Sequence, residues 1–472
     1  MSEELDPADA NRVDSMPDLR DNEDSITGAF RDHVVEAIEA RDVDALKAIV
    51  ADLHEADMGS LLETLDGEER RRLIELLGAS FDFLALTEID ETVRVQILHG
   101  LSPGTVAQGL RALASDDAVY ILEDLPEEDV SAVLEHMPAP ERVALQRSLD
   151  FPEESAGRRM QSAFIAVPPF WTVGRTIDYM RETADLPDTF YEVFVVDPAY
   201  RLIGSVSLDK LLRSRRPVLM TAVKSEHQQQ VVQTSDDQED VARMFERYNL
   251  VSAPVVDEAG RLVGVITIDD VVDVIQEEAD EDLRALAGVG SDEELSDTVG
   301  YTARSRLPWL TINLGTAFVA SSIISLFEGT IEKMVALAVL MPIVASVGGN
   351  AGTQTMTVAV RALATRDLSS HNARRVVARE VLVGLFNGLV LACLLGIIAS
   401  LWFASIDLGI VISAALVLNM VSAGLFGILI PIVISRLKLD PAVASGVFVS
   451  MVTDVVGFLA FLGLATLWFT WR

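Results

Sequence analysis

Residues 442–471 read AVASGVFVSMVTDVVGFLAFLGLATLWFTW, an apolar stretch whose only acid, Asp454, lies well inside it. A helix needs about 20 such residues to cross the hydrocarbon core of a bilayer. A carboxylate at that depth costs several kcal/mol unless it faces water, a cation or a partner. The stretch therefore predicts a membrane helix on which Asp454 lines a cation path, as in a channel or a transporter.

Four more apolar stretches precede it, and the five predicted spans are residues 307–327, 335–363, 376–403, 408–435 and 441–470. Basic residues precede the first span and fill the second and fourth loops, whereas the other two loops are mostly acidic. The positive-inside rule then places the amino terminus in the cytoplasm and the carboxyl terminus outside. We expect a five-helix transmembrane domain over residues 305–472, embedded in the lipid bilayer of a cell membrane.

The charge is strongly divided along the chain. Residues 1–305 carry 27 Lys and Arg against 65 Asp and Glu, whereas residues 306–472 carry 10 against 7. The chain has only 5 Lys among its basic residues, and an acidic, Lys-poor surface is typical of proteins that stay soluble in molar salt. A halophile's surface and a set of divalent-cation sites both remain open as interpretations. Nucleic acid is not an expected partner.

The acidic part divides into segments of different pattern. Residues 1–28 lack any apolar run and predict a disordered acidic tail. Residues 29–150 show helical apolar spacing in short segments such as DDAVYILEDLP, where acids open a helix and proline follows its end. They predict an all-α domain of stacked helical hairpins.

Residues 151–275 contain an internal repeat. VVDPAYRLIGSVSLDKLL from Val195 aligns with VVDEAGRLVGVITIDDVV from Val255 at an offset of 60, which predicts a tandem α+β pair. The unit resembles the cystathionine-β-synthase (CBS) domain, a regulatory sensor. Its nucleotide signature is present in the second copy as Gly264, Thr267 and Asp270. ATP binding and ordinary turn and helix-cap chemistry both remain open for these residues.

A helix rich in acids, DDVVDVIQEEADEDLRAL at residues 269–286, follows the repeat, and residues 276–304 are predicted as an acidic connecting helix before the membrane. Like charges three or four residues apart repel and destabilise a helix. Bound cations would relieve that repulsion. The helix is therefore either a cation sensor or a solvated linker of a halophilic protein.

The second span contains MPIVASVGGNAGTQT from Met341, where polar residues fall mostly on one helical face. In lipid such groups must find partners or line water. Close packing of small residues with interhelical hydrogen bonds is the alternative.

Three segments together identify a family resemblance: PIVASVGGNAGTQ in the second span, LDPAVASGVFVSMVTDVVGF at the fifth, and SAGRRM before the CBS pair. They resemble the MgtE family of magnesium channels, over nearly the whole chain and in domain order. The resemblance implies a homodimer with one pore lined by the second and fifth spans. Asp454 matches the family's pore aspartate, which holds hydrated Mg²⁺. The other implied pore residues are Gly349, Asn350, Thr353 and the Ser450 carbonyl.

The resemblance also implies a gate, in which intracellular Mg²⁺ binds between the helical domain, the CBS pair and the connecting helix and closes the pore. The candidate regulatory ligands are the acids Asp116, Asp117, Asp269, Asp270, Asp273, Glu277, Glu278, Asp280, Glu281 and Asp440.

Two other classes of function are weighed against the channel. A proton-coupled secondary transporter of divalent cations such as Mn²⁺ or Co²⁺ would use Asp454 to exchange a proton. A membrane enzyme regulated by its CBS pair is disfavoured, because the spans contain no histidine, one cysteine and one deeply placed carboxylate. We therefore expect no enzymatic activity.

Overall fold

The computed structural model describes residues 17–22, 25–51, 53–184, 186–187, 189–225, 230–290, 293, 298–368 and 371–470. Most of the predicted tail, residues 1–16 and 23–24, lies outside these described residues. The chain divides into two compact units, Met1–Gln276 and Glu277–Arg472.

The described part of the first unit begins with a stack of nine short helices. They are α1 (Gly28–Ala40), α2 (Val43–Val50), α3 (Glu55–Thr64), α4 (Gly67–Leu77), α5 (Glu91–Gly100), α6 (Pro103–Leu110), α7 (Ser115–Glu123), α8 (Glu127–Glu135) and α9 (Ala139–Leu149). Local signals set their ends: Asp66, for example, accepts from the Glu69 amide while Glu69 caps the Asp66 amide in return. Their apolar faces share one core, which confirms the predicted helical domain.

Two copies of one small unit follow. The first comprises α10 (Ala156–Arg159), β1 (Ala166–Val167), α11 (Val173–Glu182), β2 (Glu192–Val196), β3 (Leu202–Ser207) and α12 (Leu208–Arg213). After α13 (Met220–Val223), the second comprises β4 (Val232–Gln233), α14 (Gln238–Tyr248), β5 (Ser252–Val256), β6 (Leu262–Thr267) and the start of α15 (Ile268–Ala287). In both, a parallel pair is followed by an antiparallel one. The register repeats at the offset of 60, since Val195 pairs with Gly204 and Val255 with Gly264, which confirms the tandem repeat.

The acidic helix predicted at residues 269–286 is α15, which starts at Ile268, directly after β6, and ends at Ala287. The segment predicted as a connecting helix, residues 276–304, begins inside α15. No residue breaks the helix between the last strand and the acids, and Gly288, with φ of 71°, adopts the left-handed conformation that ends it.

Five helices of the described chain are long and apolar enough to cross a membrane, as predicted. They are α16 (Val299–Ser325), α18 (Ala336–Ala364), α19 (Ala373–Trp402), α20 (Ile406–Arg436) and α21 (Pro441–Thr470), with the short α17 (Glu328–Lys333) after the first. Helix α20 is the most buried of them and packs against α18, α19 and α21. Glycines allow this close approach: a methyl group on Gly424 would lie 2.5 Å from the Glu380 carbonyl oxygen of α19.

Candidate functional site

Helix α18 has two sides of different character. Val344, Gly348, Gly352 and Met356 recur every fourth residue and are buried. The polar residues Asn350, Thr353, Gln354 and Thr357 are exposed, and a methyl group on Gly349 would meet nothing within 4 Å. Both alternatives from the sequence are therefore seen on α18. Some small residues pack between helices, whereas others lie on a polar face that the described part of the chain leaves exposed.

The two threonines of this polar face turn their hydroxyls inward to the helix backbone. Thr353 Oγ1 donates to the Gly349 carbonyl at 3.0 Å, and Thr357 Oγ1 donates to the Thr353 carbonyl at 3.0 Å. Their own polar groups are therefore satisfied without a partner helix. The groups that remain available to an external ligand on this face are mainly the amides of Asn350 and Gln354.

Helix α21 carries Asp454 as a half-buried side chain. Its neighbour Thr453 is fully buried, and the Thr453 hydroxyl donates to the carbonyls of Val449 at 3.0 Å and Ser450 at 2.9 Å. A methyl group on Gly352 of α18 would lie 2.8 Å from Val449 and 3.2 Å from Thr453, so the two helices touch here. Asp454 therefore lies one residue beyond the α18–α21 contact. The Ser450 carbonyl lies inside α21, where it accepts from the Thr453 hydroxyl in addition to the amide four residues further along the helix.

A second group of candidate residues lies in the first unit, where α7 meets the start of α15. Asp116 and Asp117 occupy the first turn of α7, and Asp269 and Asp270 the first turn of α15. The Thr267 hydroxyl and amide both donate to Asp270 Oδ2, at 2.9 and 3.3 Å. Asp116 Oδ1 is buried and has no hydrogen-bond partner in the described part of the chain. We call these four residues together with Asp273 the acidic cluster.

Ion pairs at the far end of α7 fix its position against the CBS pair. Glu123 accepts from Arg158 Nε at 3.0 Å and lies 3.6 Å from Arg159, both on α10. Arg94 pairs with Asp124 at 2.5 Å and stacks on the Tyr120 ring, 4.5 Å from its centroid. Attraction at the carboxyl end of α7 thus offsets the repulsion between carboxylates at its amino end.

Four carboxyl groups of the acidic cluster have raised pKa values, those of Asp116, Asp117, Asp270 and Asp273. Burial, followed by repulsion from Asp269, Asp273, Glu88 and Asp82, raises the pKa of Asp117 to about 6. Burial also raises the pKa of Asp270 to about 7, aided by Asp269 and Asp117 although the Thr267 hydrogen bonds oppose it. The pKa of Asp116 is raised well above its usual range by burial and by Asp270. A bound cation would replace these protons and offset the repulsion.

Sequence reasoning missed Glu88 and Asp82, whose carboxylates help to raise the pKa of Asp117. Burial and the Asp273 carboxylate raise the pKa of Glu88 as well. Both residues follow α4 in a connection without repeat or motif, so no sequence signal could have placed them near α15. Within the described residues, no three Asp, Glu, His or Cys side chains are grouped closely enough to hold a metal ion in this conformation.

The remaining regulatory candidates lie elsewhere. Glu277, Glu278, Asp280 and Glu281 follow residue 276 on α15 and belong to the second unit. Asp440 is exposed, and its Oδ1 accepts from the Ala442 amide at 2.8 Å, so it caps the start of α21.

In this conformation, the residues of the predicted nucleotide signature are in contact with other side chains of the protein. A methyl group on Gly264 would lie 2.6 Å from the Met160 sulfur, and the Thr267 hydroxyl is engaged by Asp270. The cavity beside Thr267 measures about 10 Å³, room for roughly one water molecule. These contacts favour turn and helix-cap chemistry for Gly264, Thr267 and Asp270.

The pH dependence of stability is expected to report this burial. Because the folded pKa values of Asp117 and Asp270 lie above those of the unfolded chain, the folded state binds more protons between about pH 4 and pH 7. The first unit should therefore lose stability as pH rises through that window, by on the order of 2 kcal/mol after allowance for partial exposure. Thermal melts of residues 17–276 at pH 5 and 7.5 measure it. Asp117→Asn/Asp270→Asn should flatten the profile, and an equally steep profile in that variant would contradict the assignment.

Comparison with known proteins agrees with this architecture. The family described as MgtE, divalent cation transporter, matches residues 341–464, the MgtE intracellular N domain matches residues 53–154, and the CBS domain matches residues 226–277. The chain is similar to the magnesium transporter MgtE of Thermus thermophilus, with 34% identity over 92% of this chain and 97% of that one. It is also similar to magnesium transporter MgtE of Bacillus subtilis, with 30% identity over 89% and 93% of the two chains.

A solved structure, the cytosolic domain of the Mg²⁺ channel MgtE in complex with ATP, is 29% identical and covers 52% of this chain and 99% of that one, with a TM-score of 0.48. The two transporters are matched over nearly their full length, in all three kinds of domain and in the same order along the chain. This chain belongs to the MgtE family.

Proposed function

We propose that this protein is a Mg²⁺-selective channel of the cell membrane that conducts through the pore of a homodimer and closes when cytosolic Mg²⁺ binds its acidic cluster. The observation that carries the proposal is the uncovered polar face of α18 beside Asp454. Exposed amides and a carboxylate inside a membrane span must face water or another polar surface. A second copy of the chain, related by a two-fold axis, supplies that surface and encloses a wet path.

The chemistry of this path suits Mg²⁺. The ion demands octahedral oxygen coordination and releases its water reluctantly, so it is held through its water shell by few carboxylates. A dimer contributes two Asp454 carboxylates, with the Asn350 and Gln354 amides as neutral oxygens. A site that removed all water from the ion and surrounded it with carboxylates would bind Mg²⁺ too tightly for the ion to pass through the pore.

Helix α15 supplies the proposed link from sensor to pore. It runs without interruption from Ile268 to Ala287, so its first turn carries Asp269 and Asp270 of the acidic cluster. At its other end Ala285 is buried with Met356 and Val360 of α18 and with Ala442 and Val449 of α21. Mg²⁺ drawn between the carboxylates would fix the helix in place, and loss of Mg²⁺ would let their repulsion displace it.

Orientation is proposed on the same grounds as from sequence. Arg374, Arg375 and Arg379 are exposed at the start of α19, and Lys438 is exposed after α20. These ends of the membrane helices would face the cytoplasm. ATP binding by the CBS pair stays a prediction, for which Met160 would first have to move away from Gly264.

Flux into liposomes containing the purified protein tests the proposal. A channel should admit Mg²⁺ down its electrochemical gradient, at a rate that depends on membrane voltage. The flux should stop when Mg²⁺ on the cytoplasmic side reaches about 10 mM, a range suited to weak oxygen sites. Flux that follows a proton gradient and ignores voltage would instead favour the proton-coupled transporter. Absence of Mg²⁺ flux under both a Mg²⁺ gradient and a proton gradient would overturn the proposal.

Water access along α18 can be measured by thiol labelling. The thiolate is the reactive form, and it develops in water rather than in lipid. In a Cys393→Ala background, Gln354→Cys should react with a water-soluble methanethiosulfonate at least about tenfold faster than the native Cys393, which is exposed on α19. Cys393 is the matched control because it lies on another membrane helix. Equal rates at the two positions would contradict a water-lined path along α18.

A further inference from the structure

Asn419 is a fully buried amide in the middle of the membrane bundle. It lies on α20, and its Nδ2 donates to the Val344 carbonyl of α18 at 2.9 Å. Its Oδ1 is buried and has no hydrogen-bond partner in the described part of the chain. The side chain therefore joins α20 to α18 through its amide nitrogen, and its amide oxygen takes no part.

Two glycines from the two proposed pore helices enclose this amide. A methyl group on Gly348 of α18 would lie 2.7 Å from Asn419 Cγ, and one on Gly457 of α21 would lie 2.8 Å from Asn419 Nδ2. Both distances are shorter than the closest approach of a real Cβ atom, so the amide fits because both positions are glycine. The width of the amide thus sets the spacing of α18 and α21 at this level.

Helix α20 packs tightly against α19 on its other side, so the position of Asn419 is fixed relative to α18 and α21. A methyl group on Gly384 of α19 would lie 2.5 Å from the Met420 carbonyl oxygen, and one on Gly388 would lie 3.0 Å from Met420 Cβ. Four residues along, Ala423 of α20 meets Gly352 of α18, which in turn contacts Thr453 of α21. The three helices therefore interlock in successive layers, and in the Asn419 layer a polar side chain fills the space between them.

This polar layer lies directly behind the candidate ion path. Gly348 immediately precedes Gly349 and Asn350, whose side of α18 is uncovered. Gly457 is three residues from Asp454, less than one helical turn. A change in the width of the layer would move the carboxylate of α21 relative to the amides of α18.

Packing alone does not explain an asparagine here. A buried acceptor without a partner carries its full desolvation penalty, which a small apolar side chain would avoid. The Nδ2 bond to Val344 instead adds direction to the contact, since it fixes α18 along its axis as well as laterally.

We propose that Asn419 is a positioning residue of the ion path, which sets the spacing and axial register of Gly348 on α18 and Gly457 on α21 and so places Asn350 and Asp454 around one ion. The inference rests on the proposed function, in which these two helices line the pore. The partner of Asn419 is the backbone of its own chain, and the ion is not its ligand.

Four variants of the full-length protein test this assignment: Asn419→Ala, Gly348→Ala, the double variant, and Gly463→Ala as control. Gly463 lies on α21, where a methyl group would meet nothing within 4 Å. Each is measured for melting temperature in detergent, for maximal Mg²⁺ flux per folded protein, and for the Mg²⁺ concentration at half-maximal flux. Gly463→Ala should match the wild type in all three.

Asn419→Ala should keep a melting temperature close to that of the wild type, because it removes an unsatisfied acceptor along with the packing. Its flux should fall about tenfold or its half-saturating Mg²⁺ rise by a similar factor, since small displacements of positioned groups have effects of this size. Gly348→Ala should fold poorly against the Asn419 amide. The double variant should recover the melting temperature, because the new methyl group enters the vacated space, but not the flux.

Wild-type flux and half-saturation in Asn419→Ala or in the double variant would overturn the proposal, as would a flux that falls only in step with the melting temperature. If Asn419→Ala does not fold, Asn419→Ser keeps a donor for Val344, and the same flux per folded protein decides the outcome. Asp454→Ala separates the two claims: undiminished flux there refutes the proposed pore, whatever the Asn419 variants do.

Discussion

Replacing Asp454 with alanine is expected to reduce Mg²⁺ flux at least about a hundredfold, because a dimer would lose two charge-assisted hydrogen bonds to the hydrated ion at roughly 1.5–3 kcal/mol each. Asp454→Asn should lose most of the flux too, since it keeps the shape and removes the charge. The side chain is half-buried in α21 and makes no structural ion pair in the described chain, so the protein should still fold.

Flux into liposomes, normalised to folded protein, measures the effect. Glu328→Ala is the matched control, because this acid is exposed on α17 outside the five spans. Wild-type flux in Asp454→Ala would refute the pore, and an equal loss in Glu328→Ala would show that acids in general steer the ion.

Neutralising the acidic cluster with Asp117→Asn/Asp270→Asn is expected to uncouple the channel from cytosolic Mg²⁺. Both side chains are raised in pKa by burial and by neighbouring carboxylates, which is the electrostatic cost that a cation would relieve. Without these two charges the repulsion that opens the pore is weaker, and the ligand set that closes it is incomplete. The ratio of flux at low to flux at ~10 mM Mg²⁺ should therefore fall at least about tenfold towards one.

Asp209→Asn provides the control for this experiment. Asp209 lies 60 residues before Asp269, at the equivalent place in the first repeat, and it is exposed. Its substitution should leave the response to Mg²⁺ unchanged. A double variant that still closes at ~10 mM Mg²⁺ would refute the acidic cluster as the sensor. If the pore is closed in low Mg²⁺ only when the salt concentration is high, screening of the carboxylate repulsion would be the cause instead.

Much of the architecture follows from local patterns in the sequence. The five spans are long apolar runs, the helical domain shows acids and prolines at its helix ends, and the repeat in residues 195–272 fixes two equivalent hairpins. The exposed amides Asn350 and Gln354 follow from helical periodicity alone. The acidic helix predicted at residues 269–286 agrees with α15 to within one residue at each end.

The three-dimensional neighbourhoods could not be predicted in this way. Nothing in the sequence near Glu88 indicates that it lies in the field of Asp117, since the two come together only through the stacking of helical hairpins. Asn419 is a single amide in an apolar run, and its importance depends on two glycines that are 71 residues before it and 38 after it. The contact of Met160, a residue outside its repeat, with Gly264 could likewise not be predicted.

The uncovered polar face of α18 has a genetic consequence. If two chains share one path, a subunit that folds but lacks Asp454 would be incorporated as readily as a normal one. In a cell that makes both in equal amounts, random pairing would leave only about a quarter of the assemblies fully normal. Such an allele would be dominant over the wild type, whereas an allele that prevents folding would be recessive.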